Sequence, residues 1–146
     1  MHKSLNAKYF LLKSISVTAA VATLWATPGY AQTSSSPLKT GEQVYQSTCM
    51  QCHAQAVDNA PKFGDKKVWA PLIEEGQAIL TSHAWVGVRK MPPKGGNPAL
   101  TQEEFARAVA YMARAAGGSW QDPDKAMLIK IREEEAARLK EIKQGK

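Results

Sequence analysis

An all-α fold is what this sequence predicts, and three observations carry the prediction. Apolar residues recur at helical spacing from Leu38 onward, no run alternates apolar and polar residues for long enough to build a sheet, and helix start and stop signals bracket the periodic segments. Thr40 to about Met50 reads as a first helix. Ala70-Pro71-Leu72 opens a second, with Pro71 in its first turn, and continues through Ile73, Ala78 and Ile79 to about Thr81. Thr101 is an N-cap, and Glu104 three residues on completes a capping box. From there Phe105, Ala108, Val109, Met112 and Ala113 form an apolar stripe that Gly117-Gly118 brings to an end. Segments 58–67 and 89–98, rich in Pro, Gly and Lys, are loops. Asp122-Pro123 starts a last helix, dense in Glu, Lys, Arg and Ala, with Leu128, Ile131, Leu139 and Ile142 on a loose stripe. It is expected as a solvated helix packing weakly on the domain, with a partner-docking or coiled-coil extension as the other reading.

The chain has 146 residues, enough for one domain of ordinary size. Its 19 Lys+Arg against 13 Asp+Glu give a formal charge of +6, which on its own points toward anionic partners. Residues 1–31 change that inference. Lys3, Lys8 and Lys13 precede an apolar run from Ile15 to Trp25, and Pro28-Gly29-Tyr30-Ala31 follows, the three parts of a secretory signal. The run is shorter than the ~20 residues of a spanning helix, so cleavage after Ala31 and export to the periplasm are expected, an uncleaved anchor being the alternative. Without those three lysines the formal +6 becomes +3. No nucleic-acid partner and no stable membrane insertion after cleavage are expected. The organisation is then a leader over 1–31, a linker over 32–37, a main domain over 38–121 and a charged helical extension over 122–146. Two cysteines exclude both a disulfide scaffold and a four-thiolate zinc site.

Those two cysteines stand in Cys49-Met50-Gln51-Cys52-His53, the C-x-x-C-H attachment signature for one covalent haem c and its iron. Two intervening residues let both sulfurs reach vinyl groups on neighbouring pyrroles, and the next side chain presents an imidazole nitrogen to the iron. The competing readings are a redox dithiol, which needs a βαβ context missing here, and a structural disulfide. A second axial ligand has three candidates. Met112 lies on the apolar stripe of a capped helix, where a core role suffices. His83 sits at the end of a helical segment, where a satisfied polar histidine is ordinary. Met91, in Arg89-Lys90-Met91-Pro92-Pro93-Lys94-Gly95-Gly96, has no packing reason to stand in a polar loop, which favours it as a thioether ligand. An open iron site is the remaining option.

Gly41-Glu42-Gln43-Val44-Tyr45, the C-x-x-C-H pentapeptide, Ala60-Pro61-Lys62-Phe63-Gly64-Asp65-Lys66, Trp69-Ala70-Pro71 and Met91-Pro92-Pro93-Lys94-Gly95-Gly96 together resemble the bacterial cytochrome c-five group of class I c-type cytochromes. The resemblance covers roughly residues 38 to 116. It implies a class I cytochrome c fold of three to five short helices around one haem, with Cys49 and Cys52 as covalent anchors and His53 and Met91 as axial ligands. It also implies that the Pro61 carbonyl accepts the proton on the other nitrogen of His53, and that the helix bearing Gly41 and Tyr45 crosses the one bearing Val109 to Met112. One departure is plain: where that group carries a second cysteine pair after the K-G-G, this chain has Asn97 and Leu100.

An iron held by His and Met has no open position for substrate, so the implied chemistry is one-electron transfer rather than catalysis, with the thioether favouring the ferrous form. Expected partners are redox proteins: a quinol-oxidising complex and a terminal oxidase or reductase for a free carrier, or a periplasmic dehydrogenase if the chain is its haem subunit. A gas-binding sensor would need a displaceable ligand. Lys62, Lys66, Lys67, Arg89, Lys90 and Lys94 lie in the loops expected around the haem edge and suggest a weakly positive docking face.

Overall fold

The computed structural model describes residues 37–145. The expected leader and all but the last residue of the linker lie outside them. Among the described residues the secondary structure is helical, with one isolated bridge between Val88 and Met91 and no strand.

The first helix begins as expected at Thr40, whose hydroxyl accepts from Gln43 N–H while the Gln43 side chain accepts from Thr40 N–H. It runs as α1 (Gly41–Val44), passes through a π turn (Tyr45–Cys49) and continues as α2 (Met50–His53). The π turn, in which Met50 N–H reaches back to Tyr45 O, inserts one residue into the winding. Everything after it is rotated by about 100° relative to an unbroken α-helix. Cys49 is thereby buried and Cys52 exposed.

The single helix expected over 70–81 is two helices, α3 (Lys66–Glu74) and α4 (Gln77–Val86). Asp65 caps α3, its carboxylate accepting from Lys67 and Val68 N–H at 3.0 and 3.2 Å, so the helix starts before Pro71 and holds the proline in its second turn. The break falls at Gly76, with φ 95° and ψ 151°, a conformation that L side chains rarely adopt. Periodicity alone ran across it because Ile73, Ala78 and Ile79 keep an apolar rhythm on both sides.

α5 (Gln102–Ala115) matches its signals at both ends. Gly117 N–H bonds Arg114 O at 3.0 Å and Gly118 N–H bonds Ala113 O at 2.8 Å, closing the last turn. Glu104 does more than cap. One carboxylate oxygen accepts from Thr101 N–H and hydroxyl at 3.0 and 2.9 Å, and the other accepts from Lys39 N–H at 3.1 Å, tying the segment before α1 to the start of α5. The Thr101 N–H bond, reinforced by the Lys39 N–H, the Thr101 hydroxyl and the Lys39 charge, holds this carboxyl below the usual range although burial opposes it. A depressed folded-state value contributes stability above the usual carboxylate range and loses it as pH falls through that lowered value. Glu104→Gln should therefore lower stability at neutral pH and flatten the acid limb of a stability-versus-pH curve measured by urea melts. Parallel curves for the two proteins would contradict this role.

α1 lies against α5. A methyl group on Gly41 would collide with the Arg107 carbonyl and stand 2.9 Å from Tyr111 Cβ, so the two backbones meet where only glycine fits. Val44, Tyr45, Cys49, Trp69, Leu100, Phe105, Val109 and Met112 form one buried cluster around this contact.

α6 (Lys125–Lys143) is capped by Asp124, not by Asp122, which instead pairs with Arg114 at 3.0 Å. The helix packs along α4 with Ile131 fully buried. Of the expected stripe, Leu139 and Ile142 stay exposed.

Candidate functional site

The helix from Gly41 to His53 delivers Cys49 and, about one turn on, the adjacent Cys52 and His53, and the chain then doubles back to meet the histidine. Ala56, Asp58 and Asn59 all take positive φ, between 52° and 64°, in the reversing segment. Non-glycine residues in this region cost on the order of 1 kcal/mol each, and the return is secured by a dense set of contacts. Phe63 N–H donates to His53 O at 2.8 Å, and the His53 Nδ1–H donates to Pro61 O at 2.8 Å. Trp69 Nε1–H donates to Lys62 O at 2.9 Å. The Phe63 ring stacks on Tyr45 at 4.3 Å and on Tyr111 at 5.5 Å, fastening the segment to both α5 and the π turn. Because a carbonyl only accepts, the Pro61 bond places the histidine proton on Nδ1 and leaves the Nε2 lone pair for a metal.

Met91 lies across the fold in the second loop. Val88 and Met91 exchange backbone hydrogen bonds at 3.1 and 2.9 Å around a tight turn with Arg89 at φ 54°. The side chain is half-buried against the core cluster that contains Cys49. A Cβ on Gly95 would lie within 4 Å of Met91 Cε, Thr48 Cγ2 and Phe105 Cε2, so the loop folds in next to the residue preceding Cys49. Asn97 Nδ2 donates to Thr48 Oγ1 at 3.1 Å, and Leu100 is buried in the core. These are the two positions where the family resemblance would have placed cysteines: a hydrogen bond and an apolar anchor stand in their place. Asn97 had no signal as a site residue in the sequence, since its partner is 49 residues away.

The two rival ligands have other surroundings: Met112 shares the buried cluster with Cys49, where a core role accounts for it. His83 stands on α4 with its Nδ1 4.0 Å from a Glu75 carboxylate oxygen.

The donor set fits a covalent haem. Both thiols are unpaired, and burial pushes the Cys49 thiol up to about 11. A redox dithiol needs the opposite shift. Phe63, Leu72, Ile73, Leu80 and Met91 pack against the Cys49 cluster and are only partly buried, leaving apolar surface for a macrocycle to cover. Among the described residues no group of three or more His, Cys, Asp or Glu side chains could hold a metal ion by itself. No helix among them is long and apolar enough to cross a membrane.

Comparison with known proteins agrees with this chemistry. Residues 36–112 match the family described as cytochrome C oxidase, cbb3-type, subunit III. The chain is 41% identical over 76 residues to cytochrome c-555 of Chlorobaculum thiosulfatiphilum, covering 49% of this chain and 88% of that protein. It is 29% identical over 77 residues to cytochrome c5 of Azotobacter vinelandii, covering 51% and 93%. A solved cytochrome c, in a crystal structure of an electron transfer complex of nitrite reductase with cytochrome c, shares 44% identity with a TM-score of 0.51, covering 55% of this chain and 99% of that one. The cysteine pair, the histidine that follows it and these relatives together show that the chain belongs to the cytochrome c family, as a class I monohaem c-type cytochrome carrying covalently bound haem c.

Proposed function

We propose that the protein is a periplasmic single-electron carrier, its haem joined through Cys49 and Cys52 and its iron held between His53 Nε2 and Met91 Sδ. The observation that carries this reading is the 2.8 Å hydrogen bond from His53 Nδ1–H to Pro61 O. It orients the ring and sets its tautomer before any metal is bound, which a histidine without a ligand role does not need. Bound haem supplies a one-electron change between ferrous and ferric iron. The chain's residues do the rest: Pro61 raises the basicity of the imidazole, the Val88–Met91 turn presents the thioether, and the apolar side chains packed on the Cys49 cluster keep water from the iron. The leader-like segment over 1–31 supports export.

Two measurements test this reading together. A potentiometric titration should follow a one-electron Nernst curve, and the reduced protein should fail to bind carbon monoxide at neutral pH because both axial positions are filled. Ready carbon monoxide binding would favour a sensor and contradict the carrier.

The partner is proposed to be a redox protein, as the nitrite reductase complex of the related cytochrome suggests, and the docking to be by charge. The available positive face is smaller than the sequence indicates. Lys90 is paired with Asp58 at 3.1 Å, and Lys94 lies over the Trp85 ring. Lys62, Lys66, Lys67 and Arg89 remain exposed. Electron-transfer rates with the native partner should fall as ionic strength rises. A second reading, the haem-bearing subunit of a periplasmic dehydrogenase, is favoured by Ile129, Leu139 and Ile142, exposed on α6. A stable stoichiometric partner recovered at native expression levels would support it.

A further inference from the structure

α6 lies wholly beyond residues 36–112, the span shared with the family, yet through Trp85 on α4 it is linked to the loop that carries Met91. Glu135, half-buried on its inner side, uses both carboxylate oxygens: one accepts from Trp85 Nε1–H at 3.0 Å, the other from Gln102 Nε2–H at 2.7 Å. The first bond fixes the indole at the end of α4, and the second joins it to the start of α5. On the indole face sits Lys94 Nζ, 4.7 Å from the ring centroid. A carboxylate on the indole N–H pushes electron density into the ring and strengthens its hold on a cation. Trp85 is held by the core as well, since it meets Phe105 edge-on at 5.4 Å.

Lys94 is the residue that most needs such support. It follows Met91 by three positions and has φ 56° and ψ 23°, left-handed without being glycine, at the head of a run that continues through Gly95 and Gly96. The other polar contact of its side chain is a 3.4 Å bond to Pro98 O. The turn that closes the Met91 loop is thus held down by a side chain resting on Trp85, and Trp85 is held by α6.

We infer that Glu135 is a positioning residue for the Met91 loop, acting through Trp85 and Lys94, so that the appended helix α6 keeps the loop shut over the iron. This rests on the proposed ligation by Met91. An added ligand can replace the thioether only while the loop is open, so its apparent affinity reads the open fraction directly.

The test is titration of the oxidised, haem-loaded, full-length protein with imidazole at neutral pH, following the weak sulfur-to-iron band at the red end of the visible spectrum. Glu135→Ala should raise the apparent imidazole affinity by about tenfold, the scale of a lost hydrogen bond to a charged group. Glu135→Gln, which keeps both hydrogen bonds once the Gln102 amide turns over, should recover most of the parental resistance. Lys94→Met should act in the same direction as Glu135→Ala, and the double variant should exceed the larger single effect little, because both act on one chain of contacts. If Glu135→Ala does not fold, Lys94→Met decides alone. Parental imidazole affinity in a variant that retains the band, or effects that multiply in the double variant, overturns the inference even if melting temperatures fall. Absence of the band from the unmodified protein overturns the Met91 ligation itself, a distinguishable failure.

Discussion

Met91→Ala is expected to lower the reduction potential by on the order of a hundred millivolts, within the ~0.8 V that axial ligands span, and to let the reduced protein bind carbon monoxide at neutral pH. The direction follows from ligand chemistry. A thioether is soft and favours ferrous iron, and alanine leaves a position that water or an added gas can take. The size follows from the loop. Val88 and Met91 remain joined by their backbone bonds, and Asn97 still ties the loop to Thr48, so no other sulfur is carried into place. Met112 is buried within α5 and His83 stands beside Glu75. A potential and gas affinity unchanged from the parent would show that Met91 is not a ligand. His83→Ala provides the contrast and should leave both quantities unaltered.

Gly41→Ala is expected to cost about 3 kcal/mol or more, at the upper end of overpacking effects, and to lower the melting temperature by roughly 10 °C or more. One methyl group causes this because its nearest neighbours are the Arg107 carbonyl and the Tyr111 Cβ, backbone and near-backbone atoms that cannot swing aside. α1 must move off α5, and α1 is continuous through the π turn with Cys49, Cys52 and His53. The substitution should therefore also reduce the yield of haem-loaded protein, although Gly41 stands eight residues before Cys49. A variant melting within about 2 °C of the parent, less than the shift expected from 1 kcal/mol, would contradict the close approach of the two helices.

What could be read from the sequence follows the range of the interactions involved. Thr101 with Glu104 and Gly117 with Gly118 act within one helical turn, and α5 stands where they place it. The C-x-x-C-H pentapeptide is equally local. Gly76 carried a usable signal that the apolar rhythm of its neighbours outvoted, so one helix was expected where two stand. The π turn over Tyr45–Cys49 had no such signal: no residue in it marks the extra residue in the winding. The Asn97–Thr48 and Glu135–Trp85 bonds span 49 and 50 residues, and no local pattern announces either. The same holds for α6. Its composition reads as a solvated helix, and only the fold brings Ile131 and Glu135 against α4.

The ligation of the iron is the claim on which the electron-carrier reading turns, and X-ray absorption at the iron edge of the oxidised, haem-loaded protein tests it most directly. One sulfur and five nitrogens are expected around the iron in the unmodified chain, with the sulfur shell lost in Met91→Ala. A shell of nitrogen and oxygen alone in the unmodified protein, or a sulfur that persists in the variant, would contradict it.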